Sequence, residues 1–206
     1  MSEPKTSAKT VEEVVPGLFH YQIEDDRIRH ISDGYALVKD GKVTLIDPLP
    51  VDEAALRPLG SIAAIVIGAA SHQRSAWSYR GRTRAKVHAP AGLQGADEAP
   101  DVSYQEGARL PGGLEAVAAP GPKAPHFALH LAGDPGVLFV GDLIMNEPGQ
   151  GLVFLSDKYM QEPAKGPLTA RRLLDLDFEV LCFAHGAPWK RGARKAIEEL
   201  LKKRGA

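Results

Sequence analysis

Ile65-Val66-Ile67-Gly68-Ala69-Ala70-Ser71-His72-Gln73-Arg74-Ser75-Ala76-Trp77 is the stretch whose reading decides the fold. It closes a short unbroken apolar run, Ile62 to Ile67, of the kind that forms a strand buried on both faces. Gly68 ends the run, and the polar cluster Ser71, His72, Gln73, Arg74 follows at once. Ser75 to Arg80 then reads as the start of a helix. Polar side chains between the C-terminal end of a buried strand and the next helix lie where α/β folds place their chemistry. The cluster is an unusual mixture for such a place, with one histidine, one arginine, one neutral amide and no carboxylate.

Outward from this stretch the chain reads as two similar halves. Residues 1–13 read as a flexible tail, followed by a single domain over 14–206. A first strand is expected within Val14 to Ile23. Gly34 to Lys39 and Lys42 to Asp47 read as strands joined by Asp40-Gly41, a dipeptide that tolerates the positive φ of a two-residue hairpin turn. Val51 to Leu59 reads as a short helix with Asp52 and Glu53 in its first turn, where the dipole favours acids. Ala85 to His88 is a further strand, and Pro90 to Pro100 a loop or short helix.

In the second half, Val102 to Tyr104 and Leu114 to Ala119 read as strands, and Phe127 to Leu131 with Val137 to Val140 as a second hairpin. Gly149 to Met160 reads as a long connection, Leu168 to Asp175 as a helix, and Glu179 to Phe183 as the last buried strand. Arg191 to Arg204 reads as the closing helix, with Ala193, Ala196, Ile197, Leu200 and Leu201 on one stripe. This rhythm fits two sheets packed face to face with helices outside.

Composition narrows the function classes. The chain has 206 residues, 44% of them hydrophobic and 25% charged, with a formal net charge of −1. That balance argues against nucleic acid or a membrane surface as partner, since both select basic chains. No apolar run is long enough to span a bilayer, and Met1 to Thr10 has no apolar segment of the secretory type. A cytoplasmic location is the expectation. The single Cys182 excludes an intramolecular disulfide framework and a cysteine-based zinc cluster.

Four segments stand in a characteristic order: Leu45-Ile46-Asp47-Pro48, the Ile65 to Arg74 stretch, Val137 to Asp142, and Phe183-Ala184-His185-Gly186. In order and spacing the chain resembles the metallo-β-lactamase fold superfamily, the glyoxalase II-like hydrolases and their relatives, over about residues 14 to 200. The resemblance implies an α+β fold, a four-layer αβ/βα sandwich with two mixed sheets face to face and outer helices.

It also implies a His-x-His-x-Asp-His motif directly after the strand, and those positions here hold Ala69, Ser71, Gln73 and Arg74. A further metal-ligand histidine of the family is matched by Pro122. The bridging aspartate is retained as Asp142 and the last histidine as His185. A catalytic zinc needs three protein ligands and an open position. Ala69 and Pro122 offer no side-chain donor, Gln73 is neutral, and Arg74 would repel a metal beside it.

The expectation is therefore a family member with a degraded metal centre, a non-zinc pseudo-enzyme or a protein binding a small anionic ligand. Two alternatives stay open: a metal-dependent hydrolase with a reduced or relocated site, and a structural or homo-oligomerisation module. The ligand-pocket candidates are Ser71, His72, Gln73, Arg74, Lys123, Asp142 and His185. No cofactor is expected. If zinc or another divalent metal binds, its ligands would come from Asp142, His185, His72 and His126. A forked pair from Arg74 to Asp142 would let a protein cation replace the metal. Asp47 reads as a brace for the neighbouring loop, and Cys182 as inert core. His20, His30, His88 and His130 carry no constellation in the sequence.

Overall fold

The structure, a computed structural model, describes residues 3–205. A seven-stranded sheet runs β1 (Glu12–Val15), β2 (Leu18–Asp25), β3 (His30–Lys39), β4 (Lys42–Ile46), β5 (Ser61–Val66), β6 (Lys86–Pro90) and β7 (Val102–Tyr104), in that spatial order. The first four strands pair antiparallel and β4 to β7 pair parallel. The second sheet contains β8 (Leu114–Ala118), β9 (Phe127–Leu131), β10 (Val137–Phe139) and, beyond the hairpin of β11 (Ile144–Glu147) and β12 (Gly151–Phe154), β13 (Val180–Cys182), in the order β13-β10-β9-β8. Helices α1 (Glu53–Leu56), α2 (Ala76–Thr83), α3 (Lys165–Leu173) and α4 (Ala193–Lys203) complete the fold.

Alternation along each strand divides the apolar residues among three cores. Tyr35, Leu37, Ile46 and Val66 pack between the sheets against Leu114, Leu129, Val137, Phe139 and Cys182. Their neighbours Ala36, Leu45, Ile65 and Val87 face the other way, into a core with Leu56, Ala76, Trp77 and Tyr79 of α1 and α2. Leu138 and Leu181 turn outward from the second sheet to meet Leu173 of α3 and the α4 stripe Ala193, Ala196, Ile197, Leu200 and Leu201. The result is the four-layer αβ/βα sandwich. The strands that read as continuous apolar runs are those buried on both faces. Among the described residues, no helix is long and apolar enough to cross a membrane.

Several boundaries differ from the sequence reading. The segment that reads as a tail is docked wherever it is described, whereas Met1 and Ser2 lie outside the described residues. Ala8 is buried and bridges to Val51, Ser7 donates to Asp52, and Glu12 and Glu13 pair with β2. Docking is local pairing onto an existing edge, which composition alone does not announce. The Gly149 to Met160 connection contains β12, and the turn before it, Glu147-Pro148-Gly149-Gln150, is a hairpin signal inside what reads as a connection. The Val51 to Leu59 helix is only one turn of α1 followed by a 3-10 turn, because Pro58 cannot donate to a continuing helix. Asp40 and Gly41 take φ 51° and 69°, as the hairpin requires.

Candidate functional site

The C-terminal ends of β4, β5, β10 and β13 converge at one rim of the sandwich. They deliver Asp47, Gly68, Asp142 and His185 to the same place. Asp47 sits at φ 46°, a conformation rarely adopted by residues other than glycine, and this turns its carboxylate under the loop after β5. Its Oδ1 accepts from the Gly68 amide at 2.7 Å, and its Oδ2 lies 2.8 Å from His72 Nδ1. The brace expected of Asp47 is present, with an added task, the orientation of His72.

His72 is the hinge of the arrangement. On its far side Nε2 lies 3.1 Å from Asp142 Oδ1. That is an ion-pair distance, but ring and carboxylate are not aligned for a directed hydrogen bond, and both atoms are buried without one. We therefore read the contact as electrostatic. Ser71 Oγ donates to Asp142 Oδ2 at 3.1 Å. His185 Nε2 approaches the same Oδ1 at 3.4 Å, while its Nδ1 donates to the Ile31 carbonyl at 2.7 Å.

His126 lies beside this group but is fully engaged: Nδ1 donates to the Ala119 carbonyl and Nε2 accepts from the Asp142 amide. It holds the backbone of the Asp142 loop and has no nitrogen left for a ligand.

Electrostatics make His72 a buried cation. Burial alone drives an imidazolium toward deprotonation. The carboxylates of Asp142 and Asp47 outweigh that and raise His72 from 6.5 to about 9. Burial pushes the Asp142 carboxyl up, but His72 and His185 reverse this and hold it well below its usual range. Asp47 is lowered in the same way, with His72 again overcoming burial. Burial holds His126 below its ordinary value.

The linkage has a definite sign. His72 stabilises the fold fully below pH 6.5, and that stabilisation is lost as pH rises through about 9. His126, with its pKa depressed, contributes fully above 6.5 and loses its contribution as pH falls. The melting temperature is thus expected to peak near pH 6.5 and decline toward pH 9. Thermal melts across that range on the native chain and on His72→Gln check this. An alkaline decline that persists unchanged in His72→Gln would contradict the assignment.

Arg74 goes elsewhere than expected. It is 5% exposed, with φ 39°. Its guanidinium donates to the carbonyls of Asp33 at 2.6 Å, Asp47 at 3.1 Å and Ala184 at 3.4 Å. The forked pair with Asp142 is not formed, and the cationic partner of Asp142 is His72. Arg74 instead ties three chain segments together beneath the site. Asp33 continues the clamp: Oδ1 meets His20 Nε2 at 2.5 Å, and Oδ2 accepts from the Gly186 amide at 2.6 Å, which positions the neighbouring His185. Gly186 (φ 107°) is required there, because a Cβ would run into the Asn146 carbonyl.

Gln73 also leaves the rim. Its amide oxygen accepts from Trp77 Nε1 and the Asp97 amide, and its nitrogen donates to the Ala70 and Gly95 carbonyls. Lys123 is exposed. The structure thus brings Ser71, His72, Asp142 and His185 together, with Asp47 behind them. His20, Asp33 and His30 are absent from the sequence-based candidates. The His30 ring packs edge-on to His185 at 5.3 Å and its Nε2 lies 3.4 Å from Glu147. A solitary histidine in a strand carries no local signal of such a partner.

These donors do not fit the paired-metal centre that the resemblance implies. Ala69 and Pro122 have no donor, Gln73 and Arg74 face other partners, and His126 is closed. Among the described residues no three His, Cys, Asp or Glu side chains are placed to hold a metal ion.

Comparison with known proteins agrees with the fold. A family model described as metallo-beta-lactamase superfamily matches residues 13–203. The DIM-1 metallo-beta-lactamase is similar in structure, with a TM-score of 0.75 at 14% identity, covering 97% of this chain and 99% of that one. A metallo-beta-lactamase family protein from Thermus thermophilus gives 0.71 at 19% identity over 94% of this chain and 81% of its own. An archaeal metallo-beta-lactamase superfamily protein from Sulfolobus tokodaii gives 0.68 at 16%, over 100% and 88%. Among curated proteins none matches the sequence. With the family model spanning nearly the whole chain and the αβ/βα sandwich beneath it, the chain belongs to the metallo-β-lactamase superfamily.

Proposed function

We propose that this chain is a metallo-β-lactamase-fold protein with a degraded metal centre, a pseudo-enzyme that binds a small ligand and does not hydrolyse through zinc. The observation that carries this reading is His72, held between the carboxylates of Asp47 and Asp142. A buried carboxylate needs a cation, and here a protonated imidazole supplies it from within the chain.

The same geometry argues against an anion seated on this centre. One imidazolium faces two carboxylates, and Arg74 is engaged by carbonyls, so neither offers free positive charge. Ligand binding at this rim rests on Ser71 and His185.

A second reading, a hydrolase with a reduced metal site made from Asp142, His185 and His72, is favoured by one observation. The Nε2 atoms of both histidines face the same oxygen, Asp142 Oδ1. Each ring has its Nδ1 anchored on an acceptor, Asp47 or the Ile31 carbonyl. Metal-binding histidines are commonly oriented by such anchors. It would require His72 to give up its proton and the three side chains to rearrange, because as they stand they do not form a metal-holding group.

Elemental analysis of the untagged protein, after supply of zinc, iron and manganese, separates the two. We expect far less than one metal per chain. Near-stoichiometric metal that disappears in Asp142→Ala would overturn the pseudo-enzyme reading in favour of the reduced site.

A further inference from the structure

The inner face of the large sheet changes character at the end far from Asp142. Residues opposite each other across paired strands share a face. The register sets Lys39 opposite Lys42, Thr44 beside Ala64 and Ala64 beside Lys86, with Ile46, Val66 and His88 in the next row. Ile46 and Val66 pack under the second sheet. Beyond them the face is basic, and a cleft of about 410 Å³ opens over it.

Lys39, Lys42, Lys86 and His88 line this cleft, with Ala64 and the Pro111-Gly112-Gly113 turn at its floor and side. Gly112 (φ 79°) lets that turn close against Leu37 and Thr44, since a Cβ would collide with the Leu37 side chain.

Three features make this more than a solvated rim. Lys39 and Lys42 form a directly opposed like-charge pair, an arrangement that costs stability in an empty sheet. None of the three lysines has an ion-pair partner among the described residues, and Asp40 at the hairpin tip is the one acidic side chain in the lining. Ala64, between Thr44 and Lys86, is too small to fill the floor, so the charges surround a space. The cleft volume lies within the range of small-molecule sites, roughly 300–1,000 Å³.

We propose that this cleft binds a small molecule bearing phosphoryl groups. Lysine ammonium groups are compact point charges that bind phosphate, and three of them, Lys39, Lys42 and Lys86, converge on this one cleft, matching the multiple negative charge of a phosphoryl group. His88, half-buried between Lys86 and Asp101, is placed to report occupancy. The cleft lies toward the N-terminal ends of β5 and β6, on the order of 15 Å along the strands from the His72 rim. This site is independent of the pseudo-enzyme reading.

The test is titration of the full chain with inorganic pyrophosphate, followed by calorimetry and by the imidazole resonances. Saturable one-to-one binding is expected, with the His88 resonances shifting and those of His185 unmoved. Lys42→Ala and Lys86→Ala, both exposed positions, should keep the native melting temperature and each weaken binding by about tenfold. Lys203→Ala at the end of α4 should bind as the native chain does. Absence of saturation at millimolar pyrophosphate, binding undiminished in the Lys42→Ala/Lys86→Ala double variant, or shifts confined to His185 would each overturn the proposal.

Discussion

Replacing His72 with alanine is expected to lower the unfolding free energy by about 3–5 kcal/mol, the range for breaking a buried charge pair from one side. The cost comes less from the lost contacts than from what they leave behind. Asp47 is buried and Asp142 is half-buried with its Oδ1 inside, and both have their carboxyl pKa lowered chiefly against burial by His72. Without the imidazolium they must either stay charged without their main cation or take up protons.

The second substitution follows from that. Asp142→Asn on the His72→Ala background removes one of the stranded charges, so part of the loss should return, and the two changes should be strongly non-additive. Denaturant unfolding of the four chains in this cycle measures it at pH 6.5. Additive effects, or a loss within the ordinary range of surface substitutions, would show that the imidazolium is not what neutralises the centre.

Arg74→Met keeps much of the side-chain volume and removes the guanidinium, and a loss of about 3 kcal/mol is expected from the stranded carbonyl groups. Three carbonyls, of Asp33, Asp47 and Ala184, lose their donor together. They belong to the loops after β4 and β13 and to β3, so the loss also loosens the seats of Asp47 and His185. Arg74 itself is held at φ 39°, a strained backbone that these hydrogen bonds offset. Arg74→Lys should recover little, because a single ammonium cannot reproduce a planar fork with several donors. Chemical denaturation gives the stability. The His185 imidazole resonance gives a second readout, expected to move in Arg74→Met although Arg74 does not touch that ring. A fully stable Arg74→Met chain would mean that the carbonyls find other donors.

In the stretch after β5, Gln73 turns to the loop at Gly95 and Asp97, Arg74 to backbone carbonyls, and His72 to the aspartates. Asp142 then faces a cation from the protein, His72, with His185 beside the same carboxylate oxygen. Fold membership alone does not license the family's reaction here, because function is argued from the site.

Much of this protein was legible in its sequence. The apolar runs at Ile62 to Ile67 and Glu179 to Phe183, the Asp40-Gly41 turn and the stripe on α4 specify local structure through spacing and backbone preference, which are properties of neighbouring residues. The order of the four strand-end segments was enough to indicate the sandwich. The destinations of the polar side chains were decided by the tertiary structure. Nothing near Arg74 in the sequence announces the carbonyls of Asp33 and Ala184, nor does anything near His72 select Asp47 over solvent. Likewise Lys39, Lys42 and Lys86 form one basic face only after the register of β3 to β6 is set. The physical reason is range: propensity and periodicity act over a few residues, whereas burial and charge pairing are settled by whichever groups the completed sheets bring together.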